Sequence, residues 1–462
     1  MSRQKQRSKA YELRPDVLER LAALQQFIGP DLGTQVLHAT HRRNRSHCRL
    51  THESMLWVVL AMGLLGDLPL REVYRHAVRL QPGRTLPGRA ALCRARQRLG
   101  VAPLARLFRT VVRPLARAPR PGGYYKDWHL VGIDGTVLDV PDSADNARVF
   151  GRPKGGRGDG AFPQVRKLSL VELGTHAELA LVLKPCHVSE QAMLPGLLRH
   201  LQPNMLLLCD RNFFSYALWQ NLVQRDVQAL LRVKCHLVLR SSQDLPDGSY
   251  LAQIYPHAND RAAGRHGIVV RVLRYTLDDP QRVGHGEVHT LLTTLLDAQQ
   301  YPAIELIALY HERWEQELVF DEQKTHQAPR LAGKEAQVRS ETPAGVVQEI
   351  YALSLGHYVT RALMAEAAAA VEVDPDRLSF VGCLRILRLR LPECQGTSRR
   401  VFGAWYERLL WEIGQEQLPP RRNRINPRVV KRKMSKFKKK RPQHRPVPPL
   451  KKAFIDTVVI KT

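Results

Sequence analysis

Apolar positions along the chain change their period twice. From about Arg14 to Ala118 they recur at three and four residues, as in Val17, Leu18, Leu21 and Leu24, or Leu56, Val59, Leu60 and Met62, the spacing of helices with one buried face. Gly29-Pro30, Asp67-Leu68-Pro69 and Gln81-Pro82-Gly83 break this stretch into several short helices. After the turn-rich Pro119 to Gly123, short β-rich apolar runs take over: His129 to Val140, Val165 to Leu173, Glu178 to Pro185 and Met205 to Cys209. Glu190 to Leu201 reads as a helix, Tyr216 to Arg225 as another, and Val227 to Val233 as a further strand. The predicted order is β-β-β-α-β-α-β, an α/β body that begins with three antiparallel strands.

From about Lys234 to Asp297 the strand-like pieces Ile268 to Leu277 and Val288 to Leu296 alternate with the turn dipeptides Asp247-Gly248 and Asp279-Pro280, which reads as a β-rich insertion. Pro302 to Gln327 is then one long helical pattern, ended by Pro329. Helices are expected over Val346 to Val371, Asp376 to Leu389 and Val401 to Ile413. From Arg421 to Lys452 there are 15 Lys or Arg and no Asp or Glu, so that run repels itself and is expected to be a disordered or nucleic-acid-ordered tail. Four segments are expected: a helical DNA-binding domain over 1–120, a catalytic domain over 121–345 with the β-rich insertion at 234–297, a helical region over 346–420, and a basic tail over 421–462.

Charge sharpens this division. The chain of 462 residues has 71 Lys+Arg against 43 Asp+Glu, a formal net charge of +28 that points to a polyanionic partner. Residues 1–120 carry a net +16 and residues 421–462 a net +15, which leaves the middle near −3. Basic ends flank a near-neutral body that keeps its carboxylates. Arg71, Arg75 and Arg79, at four-residue spacing among short helices with tight turns, resemble the DNA-contacting face of a helix-turn-helix.

Other classes are set aside on composition. The longest apolar run, Met55 to Gly66, stops at Asp67 and is too short for the roughly 20 residues of a membrane span. No apolar stretch follows the basic N-terminus, so a secretory signal is not expected and a cytoplasmic protein is. The cysteines are scattered and never in C-x-x-C spacing, as reduced thiols would be; His38, His41, His47 and Cys48 lack the paired cysteines of a zinc knuckle.

Three acidic positions carry candidate chemistry. Asp134, in Gly132-Ile133-Asp134-Gly135-Thr136, lies within an apolar strand, where a carboxylate is costly unless it meets a cation or donors. Asp210 ends the run Met205 to Cys209, a position from which a rigid sheet aims a side chain into a crevice. On a helical wheel Tyr310, Arg313, Glu317 and Lys324 share one narrow face, with Glu317 between two cations and a phenol. Ion pairs along a solvated helix would be the plainer account of that face. Asp139 and Asp142 compete with Asp134, and Asp321 is either a further ligand beside Glu317 or a partner of Lys324.

Tyr310, Arg313, Glu317 and Lys324 match, residue by residue, the Y-(2)-R-(3)-E-(6)-K pattern of the insertion-sequence-four family of bacterial DDE transposases, which the chain resembles over roughly residues 10 to 350. Asp134-Gly135-Thr136 looks like that family's first catalytic motif and Asp210-Arg211-Asn212-Phe213 like its second; Arg42-Arg43-Asn44-Arg45 leading into Leu56 to Gly66 is similar to its N-terminal domain. The resemblance implies an RNase H-like catalytic core, a mixed sheet with flanking helices interrupted by the β-rich insertion, beside an all-helical N-terminal DNA-binding domain. It also implies a transposase that binds terminal inverted repeats, cleaves them and joins the 3′ ends to new DNA.

For that reaction Asp134, Asp210 and Glu317 are the expected ligands of two Mg²⁺ ions, with Mn²⁺ a possible substitute. Tyr310, Arg313, Lys324 and Arg211 are expected to orient the DNA backbone, and Trp314 to stack on a base. The partners implied are double-stranded transposon-end and target DNA, and a second copy of the chain during synapsis in the bacterial nucleoid. Some relatives hold a flipped base on a tryptophan of the insertion; this chain has no Trp between Trp219 and Trp314, so Tyr250 or Tyr275 would serve instead. A nuclease without strand transfer and a non-catalytic DNA-binding repressor are the competing functions.

Overall fold

The computed structural model describes residues 27–44, 48, 50–77, 85–117, 122–155, 158–234, 237–282, 284–311, 313, 315–328, 338–393, 399–419 and 452–461. Helices α1 (Pro30–Ala39), α2 (His52–Leu64), α3 (Leu70–Ala77), α4 (Arg89–Leu99) and α5 (Ala102–Val111) come first. Strands β1 (Trp128–Asp139), β2 (Gln164–Glu172), β3 (Glu178–Pro185) and β4 (Met205–Cys209) follow, then α6 (Tyr216–Gln224) and β5 (Gln228–Arg232). Strands β6 (Ser241–Asp244), β7 (Tyr250–Ile254), β8 (Ile268–Leu277) and β9 (His289–Thr293) precede α7 (Ala303–His311) and α8 (Glu315–Asp321). A π-helix (Glu322–Gln327), α9 (Pro343–Ala370), α10 (Phe380–Arg390), α11 (Arg399–Gly414) and β10 (Val458–Ile460) complete the chain.

The chain divides into two compact units. Unit 1 comprises residues 1–124, 132–200 and 314–417, and unit 2 residues 125–131, 201–313 and 418–462. In unit 1 the helices before residue 112 share one hydrophobic core with α9, α10 and α11, built from side chains such as Trp57, Leu107, Leu363 and Leu387. Helix α2 is buried from Ser54 to Leu64 and so reads apolar all round; Thr51 caps it by accepting from Ser54 N. It packs directly on α9. A Cβ on Gly63 would come 1.9 Å from the carbonyl oxygen of Ala352, so only glycine permits this approach. Strands β3, β2 and β1 lie side by side in this unit, with β2 and β3 antiparallel from Val165↔Pro185.

Unit 2 holds the sheet order β1-β4-β5-β9-β8-β7-β6. Strands β4 and β5 are parallel, and every residue of β4 is buried, as a strand covered on both faces requires. The β-rich stretch after residue 234 does not form a separate body: β9 pairs with β5, and β8 and β7 follow, all antiparallel.

Two expectations need correction. The helix predicted over Glu190 to Leu201 is two single turns, Glu190–Met193 and Pro195–Leu198, because Pro195 has no N–H to continue the ladder. The helix predicted over Pro302 to Gln327 is described as α7, α8 and a π-helix, with residues 312 and 314 outside the described residues. After the basic run, residues 455–460 form a single 3-10 turn and a short strand. The β-branched run Val458–Ile460 pairs antiparallel with β8, and Phe454 stacks on His311 with ring centroids 4.0 Å apart. The basic run 420–451 lies outside the described residues.

Candidate active site

In unit 1 the first and third acids lie on elements that touch. Gly132, Asp134 and Thr136 alternate onto one face of β1. Against that face Gln316 of α8 covers Gly132, where a Cβ would come 1.1 Å from Gln316 Nε2. Lys324 Nζ donates to Thr136 Oγ1 and to Val137 O, both at 3.1 Å. From Gln316 to Lys324 a helix rises about 12 Å, and from Gly132 to Thr136 a strand advances about 13 Å. The helical stretch thus runs along β1 between these two anchors; Asp134 Oδ1 accepts from Gly135 N at 2.8 Å.

The stretch is held from behind by buried charge. Glu322, in the π-helix, meets Arg361 Nε at 3.0 Å and His357 Nε2 at 2.8 Å, with His176 Nδ1 3.4 Å away. Burial alone would raise its pKa, but the Arg361 guanidinium and the two histidines hold the carboxyl well below the usual range. Gln323 joins a second buried group: Lys167 Nζ donates to Gln323 Oε1 at 2.8 Å and bridges to Glu178 at 2.7 Å. Gln327 Nε2 donates to Gly63 O at 2.6 Å and Leu353 O at 2.8 Å.

Unit 2 gathers the second acid with two residues of the predicted helix face. Asp210 follows β4, and Tyr310 Oη donates to the carbonyl of the preceding Cys209 at 3.2 Å, pinning α7 to the end of that strand. Burial pushes the Tyr310 phenol well above its ordinary pKa; Arg313 opposes this and the charge of Asp210 adds to it. The Arg313 guanidinium lies 5.8 Å from the centre of the Tyr310 ring, within cation–π range. Arg211 is exposed beside Asp210.

Several sequence readings resolve differently. The common face of Tyr310, Arg313, Glu317 and Lys324 assumed one unbroken α-helix; the pairs Tyr310–Arg313 and Glu317–Lys324 belong to separate units, and the π-turn alters the phase before Lys324. Asp139 accepts from Gln164 Nε2 at 2.8 Å, and Asp142 pairs with Arg152. Asp321 accepts from Thr325 Oγ1 at 2.6 Å instead of pairing with Lys324. Tyr250 and Tyr275 are buried, Tyr275 against His289, so neither presents an open ring. Arg71 and Arg75 are exposed, Arg75 with Glu72 at 3.2 Å; Arg79 and Trp314 lie outside the described residues.

Sequence reasoning missed Gln316, Gln323 and Gln327. Together with Val319 and Phe320 they form the buried stripe of this helical stretch, a helical period in which glutamines occupy apolar positions. Among the described residues no three His, Cys, Asp or Glu side chains form a ready metal-binding group. Even so, carboxylate oxygens are the donors a hard divalent cation takes, and the buried amide of Gln316 lies on the face of β1 that carries Asp134.

Comparison with known proteins assigns the class. Residues 130–355 match the transposase DDE domain, a class of DNA-processing enzyme that generally uses divalent metal ions, and residues 18–109 match the insertion element 4 transposase N-terminal region. Together the two matches cover more than half of the chain. The chain belongs to the insertion-element-4 family of DDE transposases. It is 28% identical over 428 residues to the transposase InsG of insertion sequence element IS4 from Escherichia coli (strain K12), covering 90% of this chain and 93% of that protein. InsZ of the same strain is 31% identical over 196 residues, covering 41% of this chain and 61% of that one. A solved piggyBac transposase synaptic complex with hairpin DNA is similar at a TM-score of 0.46 and 10% identity, covering 84% and 85% of the two chains. No helix among the described residues is long and apolar enough to cross a membrane.

Proposed function

We propose that the chain catalyses cut-and-paste transposition: it binds the inverted repeats at the ends of its own element, cleaves the phosphodiester at each end, and joins the 3′-hydroxyls to target DNA. The observation that carries this reading is the DDE-domain match over residues 130–355, which contains Asp134, Asp210 and Glu317 in order. In this reading the body of that domain is an RNase H-like core, the helices of residues 1–120 bind DNA, and two copies of the chain act together at synapsis in the bacterial cytoplasm.

Asp134, Asp210 and Glu317 would hold two Mg²⁺ ions, or Mn²⁺ in their place. Bound there, the cations supply Lewis acidity to the attacking and leaving oxygens. The remaining work belongs to side chains. Tyr310 and Arg313, fixed beside Asp210 through Cys209 O and the ring contact, orient the DNA backbone, with Arg211 exposed next to them. Lys324, half-buried on Thr136 and Val137, sets the strand that presents Asp134. Trp314 is proposed to stack on a base, and Arg71, Arg75 and Arg79 to contact phosphates.

Asp134→Asn, Asp210→Asn and Glu317→Gln should each reduce Mg²⁺-dependent cleavage of end DNA to background while end binding persists. Full cleavage by all three variants would refute the assignment. Precleaved ends incubated with a plasmid separate the alternatives, since a nuclease without strand transfer yields no joined product.

A further inference from the structure

The roles above leave Gln316 unused. Its side chain is 0% exposed, and neither Oε1 nor Nε2 has a hydrogen-bond partner. A primary amide brings two donors and an acceptor, and protein interiors pair such groups almost without exception. Of the other glutamines in the same buried stripe, Gln323 bonds to Lys167 and Glu178 through both amide atoms, and Gln327 Nε2 bonds to Gly63 O and Leu353 O while its Oε1 lacks a partner; Gln316 alone of the three is unpaired at both atoms. The unmatched amide is also the one in the helical stretch that lies against the face of β1 carrying Asp134. It fills the space a Cβ on Gly132 would take, two residues before Asp134, and it precedes Glu317 in the chain.

We propose that Gln316 is a positioning residue for the carboxylates of unit 1. When a divalent cation is held by Asp134 and Glu317, the Gln316 amide donates to the Asp134 carboxylate and its Oε1 accepts from the ion's hydration water, fixing which carboxylate oxygen faces the cation. This rests on the reading of Asp134 and Glu317 as cation ligands. Gln316 does not touch the reacting phosphate, and its contribution appears first as cation affinity.

The test is a Mn²⁺ titration of the full-length protein followed by electron paramagnetic resonance, with thermal melting in chelator alongside. Gln316→Met keeps the length of the side chain and removes both polar atoms. Mn²⁺ affinity should fall by about 10- to 100-fold, while Tm without metal stays level or rises, because the fold loses an uncompensated amide. Unchanged affinity would overturn the proposal. So would a lowered Tm or failure to fold, since either means that the amide is already bonded within the metal-free protein. Asp134→Asn and Glu317→Gln run in the same titration: if both keep wild-type affinity, the reading of these acids fails, whatever Gln316→Met does.

Discussion

Gly132 shows how much can turn on one missing carbon. Gln316 occupies the space of its absent Cβ, so any larger residue at this position of the strand bearing Asp134 would displace the end of that side chain. Gly132→Ala should displace the buried Gln316 side chain, lowering stability by about 1–3 kcal/mol and cleavage with it. Melting curves and an end-cleavage assay on the one variant measure both. At this scale the sequence was legible where chemistry is local. Asp134, Asp210 and Glu317 stood out as acids in apolar or ordered settings. Gln316 did not, because a glutamine in a helical pattern carries no sign of whether it will be buried.

At the scale of elements, the decisive feature is the π-turn after α8. It brings Glu322 and Gln327 onto α9 and Gln323 onto Lys167 and Glu178, while Lys324 reaches β1. A buried carboxylate that loses its partner is left uncompensated, so Arg361→Met should cost about 3–5 kcal/mol, read as a lower Tm. The same cluster sets a pH dependence. Burial lowers the pKa of His357 below its ordinary 6.5, so below that value the unfolded chain binds more protons than the folded one and stability declines. Glu322 is held well below its ordinary 4.5, so its contribution is complete above that pH and is lost as pH falls further. Tm measured across pH should therefore be level near neutrality, drop below about pH 6.5 and drop more steeply below about 4.5; a rise on acidification from pH 7 to 5 would contradict this. Sequence periodicity located the helical stretch but assumed uniform α geometry, which hid the wider turn after α8.

At the scale of the whole molecule, unit 1 is assembled from three separated stretches of chain. Its helices before residue 112 share a core with α9, and Gly63 lies against the α9 backbone. Removing residues 1–120 would expose an apolar face along a helix of 28 residues that is buried at most positions. A fragment spanning 121–462 should accordingly be insoluble or molten, as judged by gel filtration and near-ultraviolet circular dichroism; a monomeric, cooperatively melting fragment would refute this. Unit 2 has its own logic. Strands β9, β8, β7 and β6 extend the sheet from β5, and β10 adds to β8 after a long excursion of the chain.

By itself the sequence determined most of the strands through residue 233 and the concentration of positive charge at the two ends, and it singled out the candidate acids, because hydrophobic period, charge and motif spacing are local properties that survive without a fold. Only the tertiary structure decided what each polar side chain meets. Lys324 is bonded to Thr136 and Val137, Glu322 is enclosed by Arg361, His357 and His176, and Gln316 is pressed on Gly132. These partners lie far apart in sequence, and whether a glutamate or glutamine faces water or a buried cation depends on elements the chain reaches only later. The sequence named the residues that carry charge; packing selected which of them are restrained, and therefore which can hold a reacting group in place.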